Sequence, residues 1–196
     1  IARFPSRYLG HAQKEFTYNN IRQPNRNRLL WRDSSVDGVK TGYTKSAGYC
    51  LVTSAKRNNM RLVSVIMGSK SPRRRTQETQ TLLTYGFRFF ETHRGFAAQE
   101  TIQTTRVWEG ASRTLGLGLE EDLFVTVPRG AFKRVKTELS GVVRAVAPIS
   151  LGSVRGVLKV VLGERELYTG EIVALHSVAE GNLWQRVSDK VRLLFE

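Results

Sequence analysis

The sequence predicts an α+β chain. Antiparallel strands are closed by one helix, then followed by a small all-β domain and a short C-terminal amphipathic helix. Three observations lead there. Val36–Gly42 and Gly48–Ala55 are β-prone runs joined by the polar turn 43–47, the pattern of a hairpin. Leu82, Leu83, Phe87 and Phe90 recur at helical spacing and give residues 74–90 one apolar face. Beyond Gly95 come β-prone runs at 100–108, 123–128, 137–146, 156–162 and 171–174. Gly, Pro and acidic residues punctuate them and no helical stretch intervenes, as in an antiparallel sandwich or barrel.

Taken in order, Ile1–Gly10 is interrupted by Pro5 and reads as a connecting segment. Phe16–Asn27 is polar, with Pro24 and several asparagines, and reads as loop. Leu29, Leu30 and Trp31 anchor that loop to the body. In the first arm of the hairpin, residues 40, 42 and 44 share one face while 41 and 43 take the other. Arg61–Gly68 is a third strand whose near-continuous apolar run predicts burial on both faces. Residues 69–75 form a loop with Pro72 and three arginines, and the helix 74–90 follows, weakened at Gly86 by about 1 kcal/mol relative to alanine. Leu115-Gly-Leu-Gly-Leu119 is not a phosphate loop, since it lacks the Lys-Ser/Thr pair and a following helix. In 183–196, Trp184, Val187, Val191 and Leu194 line one helical face, opposite Arg186, Asp189, Lys190 and Arg192. This fits a helix lying in a membrane interface, and it also fits one packed on its own domain.

Composition narrows the function classes. No apolar run approaches a membrane span. Cys50 is the single cysteine, which excludes a disulfide framework and, from its place in a strand, predicts a buried thiol. His11, His93 and His176 are scattered without cysteine partners, so no metal site and no cofactor are expected. The net charge of +14 is uneven: residues 1–94 carry 18 Lys and Arg against 5 acidic residues, and 95–196 carry 13 against 12. That shift supports a boundary near Gly95, which with the C-terminal helical pattern divides the chain into 1–94, 95–182 and 183–196, and it directs the first part toward something anionic.

Lys40-Thr41-Gly42 is built for an anion. Lys40 supplies a compact positive charge and Thr41 a hydroxyl that donates and accepts. Gly42 lets a ligand lie against the backbone, where the Tyr43 N–H is available to a developing oxyanion.

The longer string, Asp37-Gly-Val-Lys-Thr-Gly-Tyr-Thr44 with Ala47-Gly-Tyr49, resembles the third active-site motif of the D-alanyl-D-alanine carboxypeptidases, the low-molecular-mass penicillin-binding proteins. Lys14–Trp31 is similar to the segment preceding that motif in the penicillin-binding protein 5 and 6 type, and Leu82–Glu91 to its closing helix. The resemblance implies the C-terminal part of a β-lactamase/transpeptidase-like domain, then the family's β domain and membrane-interface tail. It also implies site roles: Lys40, Thr41 and Gly42 as the catalytic motif, with Arg26 and Arg75 facing the substrate's terminal carboxylate. The implied partners are a peptidoglycan pentapeptide ending in D-Ala-D-Ala, β-lactams in the complete enzyme, and a membrane surface through the C-terminal helix. The implied location is the periplasm, peripheral to the inner membrane. No serine here is followed by Lys at the third position or Asn at the second, so the family's Ser-x-x-Lys and Ser-x-Asn motifs are missing. The expectation is therefore a portion that binds or scaffolds without turning over by itself. Two other classes fit the charge: a nucleic-acid-binding module using Tyr18, Trp31 and Tyr43 among arginines, and a non-catalytic wall- or membrane-associated β module.

Overall fold

The computed structural model describes residues 4–142 and 144–193. The chain divides into two compact units, Ile1–Glu91 and Thr92–Glu196.

The first unit opens with α1 (Pro5–Tyr8) and a 3-10 turn (Leu9–Ala12). This is more than a connecting segment. The Tyr8 hydroxyl donates to Asp37 at 2.9 Å, and His11 Nδ1 lies 3.2 Å from the Val39 carbonyl. Next come β1 (Glu15–Tyr18) and β2 (Ile21–Pro24), an antiparallel ribbon where a loop was expected. All eight of its residues are exposed, so no buried face gave it an apolar period. After α2 (Leu29–Arg32), the strands β3 (Val36–Thr44), β4 (Gly48–Arg57) and β5 (Met60–Ser69) form a three-stranded antiparallel sheet in chain order.

The helix α3 (Pro72–Phe89) starts two residues earlier than periodicity indicated. Ser71 caps it by accepting from the Arg74 N–H at 3.1 Å, and Pro72 occupies the first turn, where it needs no N–H partner. Leu29, Leu30, Val36, Leu51, Ala55, Met60, Leu83 and Phe87 make the core between sheet and helix. Gly86 is there for close approach, since a Cβ would stand 2.5 Å from the Leu62 Cδ1 atom. Burial of β5 on both faces is not found: Val63, Val65 and Met67 are 58%, 55% and 76% exposed. The helix covers one face of the sheet, and β5 is an outer strand. Of the Leu-Leu-Trp anchor, Leu29 and Leu30 are buried while Trp31 stays largely exposed.

The second unit is β-rich, as expected. Its strands are β6 (Phe90–Phe96), β7 (Gln103–Trp108), β8 (Thr114–Gly118), β9 (Leu123–Pro128), β10 (Val135–Ser140), β11 (Ala145–Val146), β12 (Val154–Leu162) and β13 (Arg165–Ala174). Six of them form a sheet in the order β10-β12-β13-β8-β7-β11, and β6 pairs with β9. Within the six-stranded sheet, pairing is antiparallel except between β7 and β11. Residues 115–118 of the Leu-Gly-Leu-Gly-Leu run lie in β8, whose Leu115 and Leu117 are fully buried.

The helix α4 (Leu183–Leu193) begins with a reciprocal cap. Asn182 Oδ1 accepts from the Gln185 N–H at 2.9 Å, and Gln185 Oε1 accepts from the Asn182 N–H at 2.8 Å. Its polar side docks on the unit: Asp189 accepts the Glu109 N–H at 2.9 Å, and Arg186 pairs with Glu180 at 2.8 Å. Leu183, Trp184 and Val187 point into solvent, Trp184 at 85% exposure. Leu194 and the side chain of Val191 lie outside the described residues. Among the described residues no helix is long and apolar enough to cross a membrane.

Candidate functional site

Three pieces of the first unit meet around a cleft of about 540 Å³: the 26–28 loop, the end of β3, and the first turn of α3. The strand contributes Lys40, Thr41, Gly42 and Tyr43, the loop Arg26, and the helix Arg75. All six residues singled out from the sequence line this one space.

Each piece is held by identifiable bonds. The loop turns on Asn27, which is 1% exposed. Its Nδ2 donates to the Gly38 carbonyl at 3.2 Å and its Oδ1 accepts the Leu29 N–H at 3.2 Å. Its own N–H donates to Asn25 Oδ1 at 2.9 Å. With Asn27 drawn inward, Arg26 and Arg28 on either side remain exposed. Arg28 also lines the cleft, and its guanidinium sits 5.7 Å from the Trp31 ring. Sequence reasoning missed both Asn27 and Arg28. The alternation Asn25-Arg26-Asn27-Arg28 was the available signal, since an asparagine drawn inward between two arginines leaves both cations exposed.

β3 is the outer strand of its sheet, so backbone groups on its free edge are open to a ligand. Its two glycines differ. A Cβ at Gly38 would meet the Tyr8 hydroxyl at 2.8 Å, so packing requires glycine there. A Cβ at Gly42 would meet nothing nearer than Cys50 Cβ at 3.8 Å, so the chain's own packing does not explain that glycine. Lys40 Nζ bonds the Thr41 carbonyl at 2.8 Å.

Arg75 is 5% exposed. Its Nη1 donates at 3.2 Å to the Gly42 carbonyl and at 3.2 Å to the Cys50 carbonyl, on facing strands. Its guanidinium lies 5.7 Å from the Tyr49 ring, which in turn packs against Tyr43 at a tilt of 30° with centroids 4.3 Å apart. Burial draws the Arg75 pKa below the usual arginine value; Tyr49 and Cys50 oppose this, and the charge of Arg26 adds to it. Cys50 is only half-buried, a correction to the expectation of a buried thiol: it sits near the hairpin end, where its S–H reaches the Ala47 carbonyl at 3.4 Å. The lining thus combines Lys40, Arg26, Arg28 and Arg75 with two tyrosines, and among the described residues no carboxylate lines it. Such a surface suits a carboxylate held beside a peptide backbone.

Comparison with known proteins meets this geometry. A family model described as D-alanyl-D-alanine carboxypeptidase matches residues 1–71, and one described as penicillin-binding protein 5, C-terminal domain, matches 90–180. D-alanyl-D-alanine carboxypeptidase DacC of Escherichia coli (strain K12) is 43% identical over 193 residues, 97% of this chain and 48% of the relative. The chain belongs to the D-alanyl-D-alanine carboxypeptidase family. DacA of the same strain is 39% identical with the same coverage. The solved structure of penicillin binding protein 5 from Haemophilus influenzae superposes with a TM-score of 0.80 at 38% identity, over 92% of this chain and 53% of that one. The chain therefore spans about half the length of the curated carboxypeptidases it matches. Within that span the sequence holds neither a Ser-x-x-Lys nor a Ser-x-Asn motif.

Proposed function

We propose that this chain forms the Lys-Thr-Gly side of the cleft of a serine-type D-Ala-D-Ala carboxypeptidase that works in peptidoglycan synthesis and remodelling. One observation carries the reading: four cations converge on the free edge of β3, around a glycine that the chain's own packing leaves unexplained. The net positive charge of the first unit then belongs to capture of a carboxylate-bearing peptide rather than to a nucleic acid.

In this reading the pentapeptide lies along β3, against Gly42. Lys40, the Thr41 hydroxyl and Arg26 hold its terminal carboxylate, with Arg75 bonded to the backbone behind them. The nucleophile is a serine of a Ser-x-x-Lys motif, supplied by the half of the relatives that this chain does not span. That serine attacks the D-Ala-D-Ala carbonyl and passes its proton to the motif lysine. The oxyanion that forms is met by the Tyr43 N–H and the serine's own N–H. Collapse releases D-alanine, which takes up the proton, and water then hydrolyses the acyl-enzyme to restore the serine. A β-lactam acylates the same serine. The solvent-facing Leu183, Trp184 and Val187 of α4, on a helix docked by its polar side, support a periplasmic location with this edge resting in the inner-membrane interface.

Fluorescent penicillin tests this. The chain alone stays unlabelled, and the chain extended through the relatives' other half is labelled. Lys40→Ala in the extended protein slows labelling at least about 100-fold, the scale of one lost transition-state donor. Covalent labelling of the chain alone, or full labelling of Lys40→Ala, would overturn the reading.

A further inference from the structure

Arg75 is the least exposed of the four cations in the cleft, and its hydrogen bonds run to the protein backbone. Nη1 donates at 3.2 Å to each of two carbonyls, Gly42 on β3 and Cys50 on β4, and these residues are cross-strand partners. One guanidinium nitrogen thus braces both strands near the turn of the hairpin. The Gly42 carbonyl belongs to the same peptide unit as the Tyr43 N–H. In a trans peptide those two groups point in opposite directions, so fixing the carbonyl fixes the direction of the N–H. A cation at the carbonyl oxygen also polarises the amide and strengthens its N–H as a donor, since hydrogen bonds in a chain reinforce one another.

We propose that Arg75 is a positioning residue for the carboxypeptidase reaction: through the Gly42 carbonyl it aims and strengthens the Tyr43 N–H that receives the substrate's carbonyl oxygen. This rests on the reading of the cleft given above and goes beyond it, because it makes the effect of Arg75 independent of the substrate's terminal carboxylate. Arg26, exposed on its loop, carries the carboxylate preference instead.

The test uses this chain, isotopically labelled, titrated with N-acetyl-D-alanyl-D-alanine and with its C-terminal amide while the Gly42 carbonyl and Tyr43 amide resonances are followed. Arg75→Gln is expected to weaken both ligands by a similar factor, about three- to ten-fold. That is below the loss from deleting a charged hydrogen bond made directly to a ligand. The Gly42 carbonyl carbon moves upfield in Arg75→Gln, and Arg75→Lys recovers part of both effects. Arg26→Gln weakens the acid alone. If Arg75→Gln weakens only the acid and leaves the Gly42 resonance in place, the proposal is overturned. A lowered unfolding temperature with unchanged affinity for both ligands overturns it equally. An unaltered chain that binds neither ligand counts against the carboxypeptidase reading instead, and the Gly42 shift in Arg75→Gln then decides the positioning claim alone.

Discussion

Replacing Asn27 with alanine removes the pin that joins the arginine loop to β3. The side chain is 1% exposed and satisfies two backbone groups, the Gly38 carbonyl and the Leu29 N–H, each at 3.2 Å. Neither group gains water when the amide is cut away, and a buried polar group left without a partner costs about 1–3 kcal/mol. Two such groups put the loss at about 2–6 kcal/mol. For a unit of this size each kcal/mol moves the midpoint by about 4–8 °C, so the transition of the first unit should fall by about 8 °C or more in calorimetry. The second unit's transition should not move. Asn27→Asp is the sharper control: it keeps an acceptor for the Leu29 N–H but sets a carboxylate oxygen against the Gly38 carbonyl, and should cost at least as much as alanine. A shift below about 3 °C for Asn27→Ala would show that the loop is held by something else and refute this account of how Arg26 is placed.

Two further outcomes follow from the same unit. Burial alone would raise the Asp33 pKa, but the hydroxyl and N–H of Ser35, the Gln80 amide and the charge of Arg57 outweigh it and hold the carboxyl below its ordinary value of 3.8. A folded-state value below the unfolded one stabilises fully above about pH 4 and is lost as pH falls through the folded value. Asp33→Asn should therefore lower stability at pH 7 by about 1–2 kcal/mol and flatten the acid limb of a denaturation-versus-pH curve; an unchanged acid limb would contradict it. The exposed Val63, Val65 and Met67 on the outer strand β5 make this sheet prone to edge and face association. Gel filtration should show self-association of the chain that Val65→Lys reduces, and a clean monomer at high concentration would count against that.

What was legible in the sequence was whatever had a buried face. The hairpin, the third strand and the helix each put an apolar set against the core, and that set marked each of them in the sequence. The β1–β2 ribbon left none, because its eight residues face solvent. Its one signal was the Asn19-Asn20 pair at the turn, where both residues take the positive φ that asparagine tolerates (49° and 61°). The start of α3 was written in Ser71 and Pro72 but hidden by the arginines that follow. The apolar run of β5 misled because composition reports hydrophobicity and not which face a helix covers. At the site, Lys40, Thr41 and Gly42 were found as a motif, and Arg26 and Arg75 through family resemblance. Asn27 was invisible as a positioning residue, since a buried asparagine bonded to backbone looks like any loop asparagine until its partners are known.

The central claim is that this edge grips a free C-terminal carboxylate. The most direct measurement is release of the terminal residue by the extended protein: D-alanine from an acyl-D-Ala-D-Ala peptide, and D-alaninamide from the same peptide amidated at its C-terminus. Loss of charge-assisted bonds to Lys40 and Arg26 predicts kcat/KM for the amidated peptide lower by about 10- to 100-fold. Equal turnover of the two peptides would contradict the account.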